Sequence, residues 1–422
     1  MHSTTLAQMA ITGLLVAMLP LAMVWVSSDE NKYRKLVWIC VFLTFDLIVF
    51  GGFTRLTDSG LGCPDWPGCY GLANPFLAHE EIRAAETLLP SGPVTLFKAW
   101  VEMIHRYLAM GIGVLIASMV ALTWGRLALS WAKYAIAGWR GRDRVLPRTA
   151  HGFEPAMPTA LFFFVCLQGA FGAWTVTLKL QPVIVTTHLL LGMGLLAMLA
   201  WFGCRQDRVH QALLATQGGK GEPSSAAGLA PAAPLPVLRT IRWLALASGI
   251  ALLIQLALGG WVSTNYATLA CTEFPLCAGK AIPDMDFEHA FHLWRELGKT
   301  AAGHYLPFAA LTAIHWVHRN FALLVVLLAG ATAWRAWRVA GMASLARGLG
   351  TVLTLQAATG LATIYLSFPL AIAVLHNAGA ALLVLLLTVL NYRAKHQFDT
   401  AQQGAAGSSR PAAAVAPARH HQ

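Results

Sequence analysis

Residues 101–123 read VEMIHRYLAMGIGVLIASMVALT, long and apolar enough to cross a bilayer, yet carrying Glu102, His105 and Arg106 in the first two turns. A helix needs about 20 predominantly apolar residues to span roughly 30 Å of hydrocarbon. Similar runs occupy 9–26, 36–54, 159–178, 183–203, 243–262, 308–331, 349–368 and 370–390. Across all 422 residues the AVILMFWYC set makes up 57% and charged side chains only 12%, about half the charge of an ordinary soluble domain. Such a chain cannot cover itself in water. A soluble enzyme, a nucleic-acid binder and a disordered scaffold are excluded. The net charge of +11 is expected to lie in the basic loops of a membrane protein.

Laid side by side, the two halves of the chain repeat. Leu167-Gln168 is followed by Gly172 and His188, and Leu355-Gln356 by Gly360 and His376 at the same offsets. His105-Arg106 answers His318-Arg319, CPDWPGC (63–69) answers CTEFPLC (271–277), and Gly51-Gly52 answers Gly259-Gly260. Chance does not set so many rare residues in register, and a repeat of this kind marks a duplicated unit. The expected fold is all-α. It is a polytopic membrane protein of two pseudo-symmetric four-helix bundles, with eight core spans and an extra N-terminal span. The expected divisions are an N-terminal membrane anchor (1–30), an N-terminal half (31–210), a flexible linker (211–240), a C-terminal half (241–395) and a disordered tail (396–422). Residues 126–140 mix basic and apolar side chains in the manner of a helix lying on the membrane surface. Placing the Cys loops outside gathers most of the 30 Lys and Arg on the other face. The positive-inside rule then predicts a bacterial inner-membrane protein with periplasmic Cys loops and a cytoplasmic C-terminus.

Of 15 histidines, His105, His188, His318 and His376 fall within hydrocarbon at repeated positions. An ionisable side chain at that depth is costly and usually functional. A lone one can simply bond a neighbouring helix, but two pairs related by duplication point to a shared task. Counted from the span ends at about 1.5 Å per residue, all four lie in the outer half of the membrane. Two opposed neutral imidazoles between packed helices suit the axial positions of a haem iron, whereas zinc wants three or four N or S ligands. Arg55, Arg106 and Arg319 adjoin these positions; they either pair with haem propionates or cap loops and meet lipid headgroups.

The halves differ beside one of these histidines. Glu102 stands three residues before His105, where His315 stands before His318. A carboxylate beside one iron only can move a proton or stabilise a developing cation. That marks the N-terminal half as reactive and the C-terminal half as a cofactor holder. The plainer reading of Glu102 is an i, i+4 salt bridge to Arg106. Cys63/Cys69 and Cys271/Cys277 are expected to close as structural disulfides in an oxidising compartment, with a redox role open for Cys63/Cys69. Asp65, Trp66 and Pro67 are suited to turning that loop tightly.

On these residues the sequence resembles the haem A synthases of aerobic respiratory chains. The similarity covers nearly all of 36–395 and is most specific in GGFTRLTDSGLGCPDWPGCYG (51–71), Glu102-x-x-His105-Arg106, His188, His318 and His376. The resemblance implies a duplicated eight-helix fold that oxidises the C8 methyl of haem O to the formyl group of haem A by successive hydroxylations, with haem b as cofactor. It implies that His105 and His188 bind the substrate haem with Glu102 taking part, and that His318 and His376 are the axial ligands of haem b. It also implies that Cys63/Cys69 bear on the mechanism. The extra N-terminal span and the long linker depart from the family pattern without touching its motifs.

Two other classes fit parts of the sequence. A di-haem b-type electron-transfer protein or quinol oxidoreductase shares the four histidines but has no use for Glu102, and a thiol–disulfide oxidoreductase would be built on the Cys pairs. The expected partners are haem O, membrane lipid and an electron donor. The donor's identity, the oligomeric state and any contact with a haem O synthase are not written in the sequence.

Overall fold

A computed structural model describes residues 2–140, 153–217 and 233–408. Among the described residues the regular structure is helical, with only isolated bridges in the loops. In chain order the helices are α1 (His2–Val26), α2 (Lys32–Leu56), α3 (His79–Leu88), α4 (Leu96–Trp139), α5 (Ala156–Thr177), α6 (Pro182–Gln217), α7 (Leu235–Thr264), α8 (Phe287–Ala290), α9 (Phe308–Ala336), α10 (Ala343–Tyr365) and α11 (Leu370–Ser408). Every long helix except α10 is long and apolar enough to cross a membrane, eight in all. The chain is a multi-pass membrane protein. The span predicted at 349–368 does fold, as α10, and its Gly348, Gly350, Gly360, Gln356 and threonines keep it less apolar than the rest.

Each half is a square of four helices. In the first, α2 touches α4, α4 touches α5, α5 touches α6, and α6 closes on α2; α7, α9, α10 and α11 close the second in the same way. α4 and α6 therefore stand on a diagonal of the first square and α9 and α11 on a diagonal of the second, leaving the centre of each to side chains. The halves meet where α11 lies against α2 and α6, and where α6 lies against α7. One continuous core joins them, including Leu36, Ile116, Leu161, Leu196, Leu199, Phe202, Ile241, Leu349 and Leu387. These residues fill the end of the bundles away from the Cys loops. Lipid offers helices no hydrophobic gain on association, so dense packing of this kind supplies the cohesion.

The α5–α6 and α10–α11 turns are built alike. Lys179 and Leu180, and likewise Ser367 and Phe368, have positive φ between 50° and 62°, uncommon for residues other than glycine. The amide of Leu180 donates to Thr175 and that of Phe368 to Thr363, each at 2.8 Å. Matching turns start α6 and α11 at the same point and so set His188 and His376 at one height.

α1 is more than a tether. A Cβ on Gly13 would lie 3.0 Å from Met110 Cβ, and one on Gly111 only 2.7 Å from Val16. The Thr5 hydroxyl donates to the Gly71 carbonyl at 2.6 Å, and Met9 packs with Cys63 and Cys69. Small residues let α1 and α4 approach closely, and α1 becomes part of the first half's wall.

Three boundaries differ from expectation. The linker expected at 211–240 is shorter, because α6 runs to Gln217 and α7 begins at Leu235 behind Pro234, with Pro236 in its first turn; residues 218–232 lie outside the described residues. The tail expected to be disordered from 396 begins as helix. Phe398 is buried near the Arg242 guanidinium, 5.3 Å away, and Lys395 pairs with Asp399, which extends α11 to Ser408; residues 409–422 lie outside the described residues. Finally, residues 126–139 are not a separate surface helix but continue α4, which is 44 residues long, about twice the hydrocarbon thickness at ~1.5 Å per residue. Arg126 lies 3.8 Å over the Phe153 ring.

Candidate functional site

His105 on α4 lies within electrostatic reach of His188 on α6, and His318 on α9 of His376 on α11. The structure thus brings the four histidines together as two diagonal pairs. A glycine on the adjacent helix seats each ring. The Cε1 atoms of His105, His188, His318 and His376 rest over Gly51, Gly172, Gly259 and Gly360, where an added Cβ would lie 3.0, 3.1, 2.9 and 3.2 Å away. Even alanine would press on the imidazole. The second glycine of each Gly-Gly pair serves the other half. Gly52 meets Asn377, the residue after His376, and Gly260 meets Leu189, the residue after His188. The glycine landmarks of the repeat therefore have one purpose each: one admits a ring, the next admits the neighbouring bundle.

Other side chains surround the rings. Gln168 donates to the His188 carbonyl at 3.1 Å, Gln356 lies 3.3 Å from Nε2 of His376, and Phe50 stacks near His105 with centroids 6.2 Å apart. Among the described residues no group of three or more His, Cys, Asp or Glu is placed to hold a metal ion. The donor set is two imidazoles per half, with Nδ1 of both His105 and His188 buried and unpartnered. Paired rings, each seated on a glycine, fit a flat group that brings its own equatorial ligands, which is what a haem is.

Above each pair lies a disulfide loop, Cys63–Cys69 or Cys271–Cys277. Asp65 turns the first by accepting from the amides of Tyr70 and Gly71 at 2.7 and 2.6 Å, the role its place in the motif suggested. Arg106 donates to the carbonyls of Asp65, Pro67 and Gly68, and Arg319 to those of Glu273, Pro275 and Leu276. Both arginines are loop anchors. Arg55 instead joins the halves: it bonds Asp58, the Ser263 carbonyl and the Tyr266 hydroxyl, and lies 4.4 Å over the Tyr266 ring. Burial raises the Tyr266 phenol above its usual range, and Arg55 offsets part of that.

Glu102 is 4% exposed. Arg106 donates to its Oε1 at 2.5 Å, the i, i+4 pair the sequence allows, and the Cys63 amide donates to its Oε2 at 2.8 Å. In the second half the Cys271 amide donates to Nδ1 of His315 at 3.2 Å. Glu102 and His315 therefore hold the same loop in the same way and differ in charge. This shared duty is invisible in the sequence, because the two side chains look unalike and the common partner is a backbone N–H. Gln255, 3.1 Å from Nδ1 of His318, and Thr359, 3.0 Å from Nδ1 of His376, were also missed. The only trace of Gln255 is its position four residues before Gly259, as Gln168 and Gln356 precede Gly172 and Gly360.

Fold and site define a class: a duplicated, multi-pass membrane protein presenting one pair of opposed imidazoles in each half beneath a disulfide loop. The sequence profile of the COX15-CtaA family, described as cytochrome oxidase assembly protein, matches residues 34–388, and the chain belongs to that family. The protein named Heme A synthase from Shewanella oneidensis is 34% identical over 368 residues, covering 86% of this chain and 98% of its own. Proteins of the same name from Chelativorans sp. and Rhizorhabdus wittichii are 28% and 29% identical, each covering 92% of its own length and 87% and 85% of this chain. α1 precedes the matched region.

Proposed function

We propose that the protein oxidises the C8 methyl of haem O to the formyl group of haem A, with haem O held by His105 and His188 and haem b by His318 and His376. The observation that carries this reading is a glycine-seated imidazole pair in each half with a buried carboxylate, Glu102, in one half only. Family membership and the names of the relatives support it. Haem b, when bound, supplies an electron-transfer centre.

Glu102 sits one turn from His105 on the same face of α4. Arg106 and the Cys63 amide each hold one of its oxygens, so the carboxylate is oriented before any substrate arrives. Its remaining lone pairs can carry a proton or stabilise positive charge that develops on the substrate. The Cys63–Cys69 loop above it keeps bulk water away. Arg106 and Arg319 act first as loop anchors, and a propionate would use the N–H groups they have left. The distribution of basic residues supports periplasmic Cys loops and a cytoplasmic C-terminus.

Co-expression with a haem O synthase in a host that lacks haem A should yield haem A on chromatography of the extracted pigments. Two bound haems, both reducible and both unaltered, would instead make the protein a di-haem electron carrier. A preparation without a Soret band would favour the thiol–disulfide reading. The glycine seats make a finer prediction. In Gly259→Ala the new Cβ, 2.9 Å from Cε1 of His318, must displace the ring, so the electron paramagnetic resonance g values of the C-terminal haem should shift while helicity is kept. Unchanged g values would remove the seat from the account.

A further inference from the structure

We propose that Thr359 is a positioning residue that retains the porphyrin of the C-terminal half by bonding Nδ1 of the axial ligand His376, and that the N-terminal half, which has no such bond, holds its porphyrin exchangeably. The inference rests on the haem-binding reading above and deepens it.

The Thr359 hydroxyl lies 3.1 Å from the Gln356 carbonyl and 3.0 Å from Nδ1 of His376. A carbonyl only accepts, so the hydroxyl proton points there and an oxygen lone pair faces Nδ1. That places the imidazole proton on Nδ1 and makes Nε2 the acceptor, which now faces the Gln356 amide at 3.3 Å and is the atom that would take iron. Gln255 differs: its Nε2 donates to the His318 carbonyl at 3.1 Å, which turns the amide's donor end toward Nδ1 of that ring, 3.1 Å away, so it cannot accept from Nδ1–H.

The duplicated position in the first half carries a side chain that cannot do this: Phe171 stands three residues after Gln168, as Thr359 stands three after Gln356. Nδ1 of His188, the counterpart of His376, is accordingly buried without a partner.

Donation from Nδ1–H makes the ligand more basic and fixes the ring's orientation, and losing such an outer partner costs about 10–100-fold in metal affinity. A porphyrin that is a cofactor has to stay. One that is substrate and then product has to enter and leave. The hydrogen bond falls in the half where retention is useful and is missing where it would obstruct turnover.

The test uses the full-length protein loaded with haem b in nanodiscs, with haem loss to excess apomyoglobin followed in time and the midpoint potential titrated. The parent should lose haem in a fast and a slow phase. Thr359→Val should accelerate the slow phase about tenfold and raise its midpoint potential, and Thr359→Ser, which keeps the hydroxyl, should restore both. Phe171→Thr should slow the fast phase. Parent rates and potential in Thr359→Val would overturn the proposal. Should that variant fail to fold, an unchanged fast phase in Phe171→Thr would overturn it equally. A parent that binds no haem would defeat the functional reading itself, a different result from a parent with two phases that the substitutions leave alone.

Discussion

Replacing His318 or His376 with alanine should empty the C-terminal half of haem b, halve the haem-to-protein ratio and abolish haem A formation. Each substitution removes one of two axial bonds and leaves the opposite imidazole alone over its glycine seat. Disturbing only an outer partner costs about 10–100-fold in affinity, so losing a ligand should exceed roughly 100-fold. The fold should survive, because the packed core lies at the end of the bundles away from the ligands. Pyridine haemochrome analysis of the purified variants, with circular dichroism as the control for folding, measures this. Full haem content in His318→Ala would remove His318 from the ligand set.

The second large effect concerns Glu102. Alanine there leaves the Arg106 guanidinium and the Cys63 amide without the acceptor they share. Breaking a buried ion pair costs about 3–5 kcal/mol, so Glu102→Ala should bind haem and make no haem A, but part of that loss would be a loosened loop. The protein itself contains the cleaner control. His315 shows that an imidazole can accept from the first cysteine's amide at this position. Glu102→His should therefore keep the Cys63–Cys69 loop and haem binding while haem A formation falls by about 100-fold or more, the usual weight of a positioned acid–base group. Parental output of haem A from that variant would confine Glu102 to holding the loop.

The spans and the duplication were legible because hydrocarbon dictates both length and composition, and because histidine, cysteine and paired glycine are rare enough inside spans for their register to be noticed. The same rarity drew attention to His105, His188, His318 and His376. Glu102 was seen as the difference between the halves, but the loop amide that makes His315 its equivalent appears only when residues about forty apart meet. Gln255 and Thr359 are ordinary polar residues in helices until the rings beside them are placed. Helix extents were the weakest reading. Charged amphipathic stretches such as 126–139 and 396–408 permit helix, surface or coil, and contacts made elsewhere, such as Phe398 with Arg242, settle the matter.

The central claim is that one chain holds two porphyrins and alters only one of them. It is tested most directly by extracting and chromatographing the haems of the purified protein produced with a supply of haem O. Haem b together with haem O, haem A or its hydroxylated intermediate is the predicted result. Haem b alone, or no haem, would contradict it.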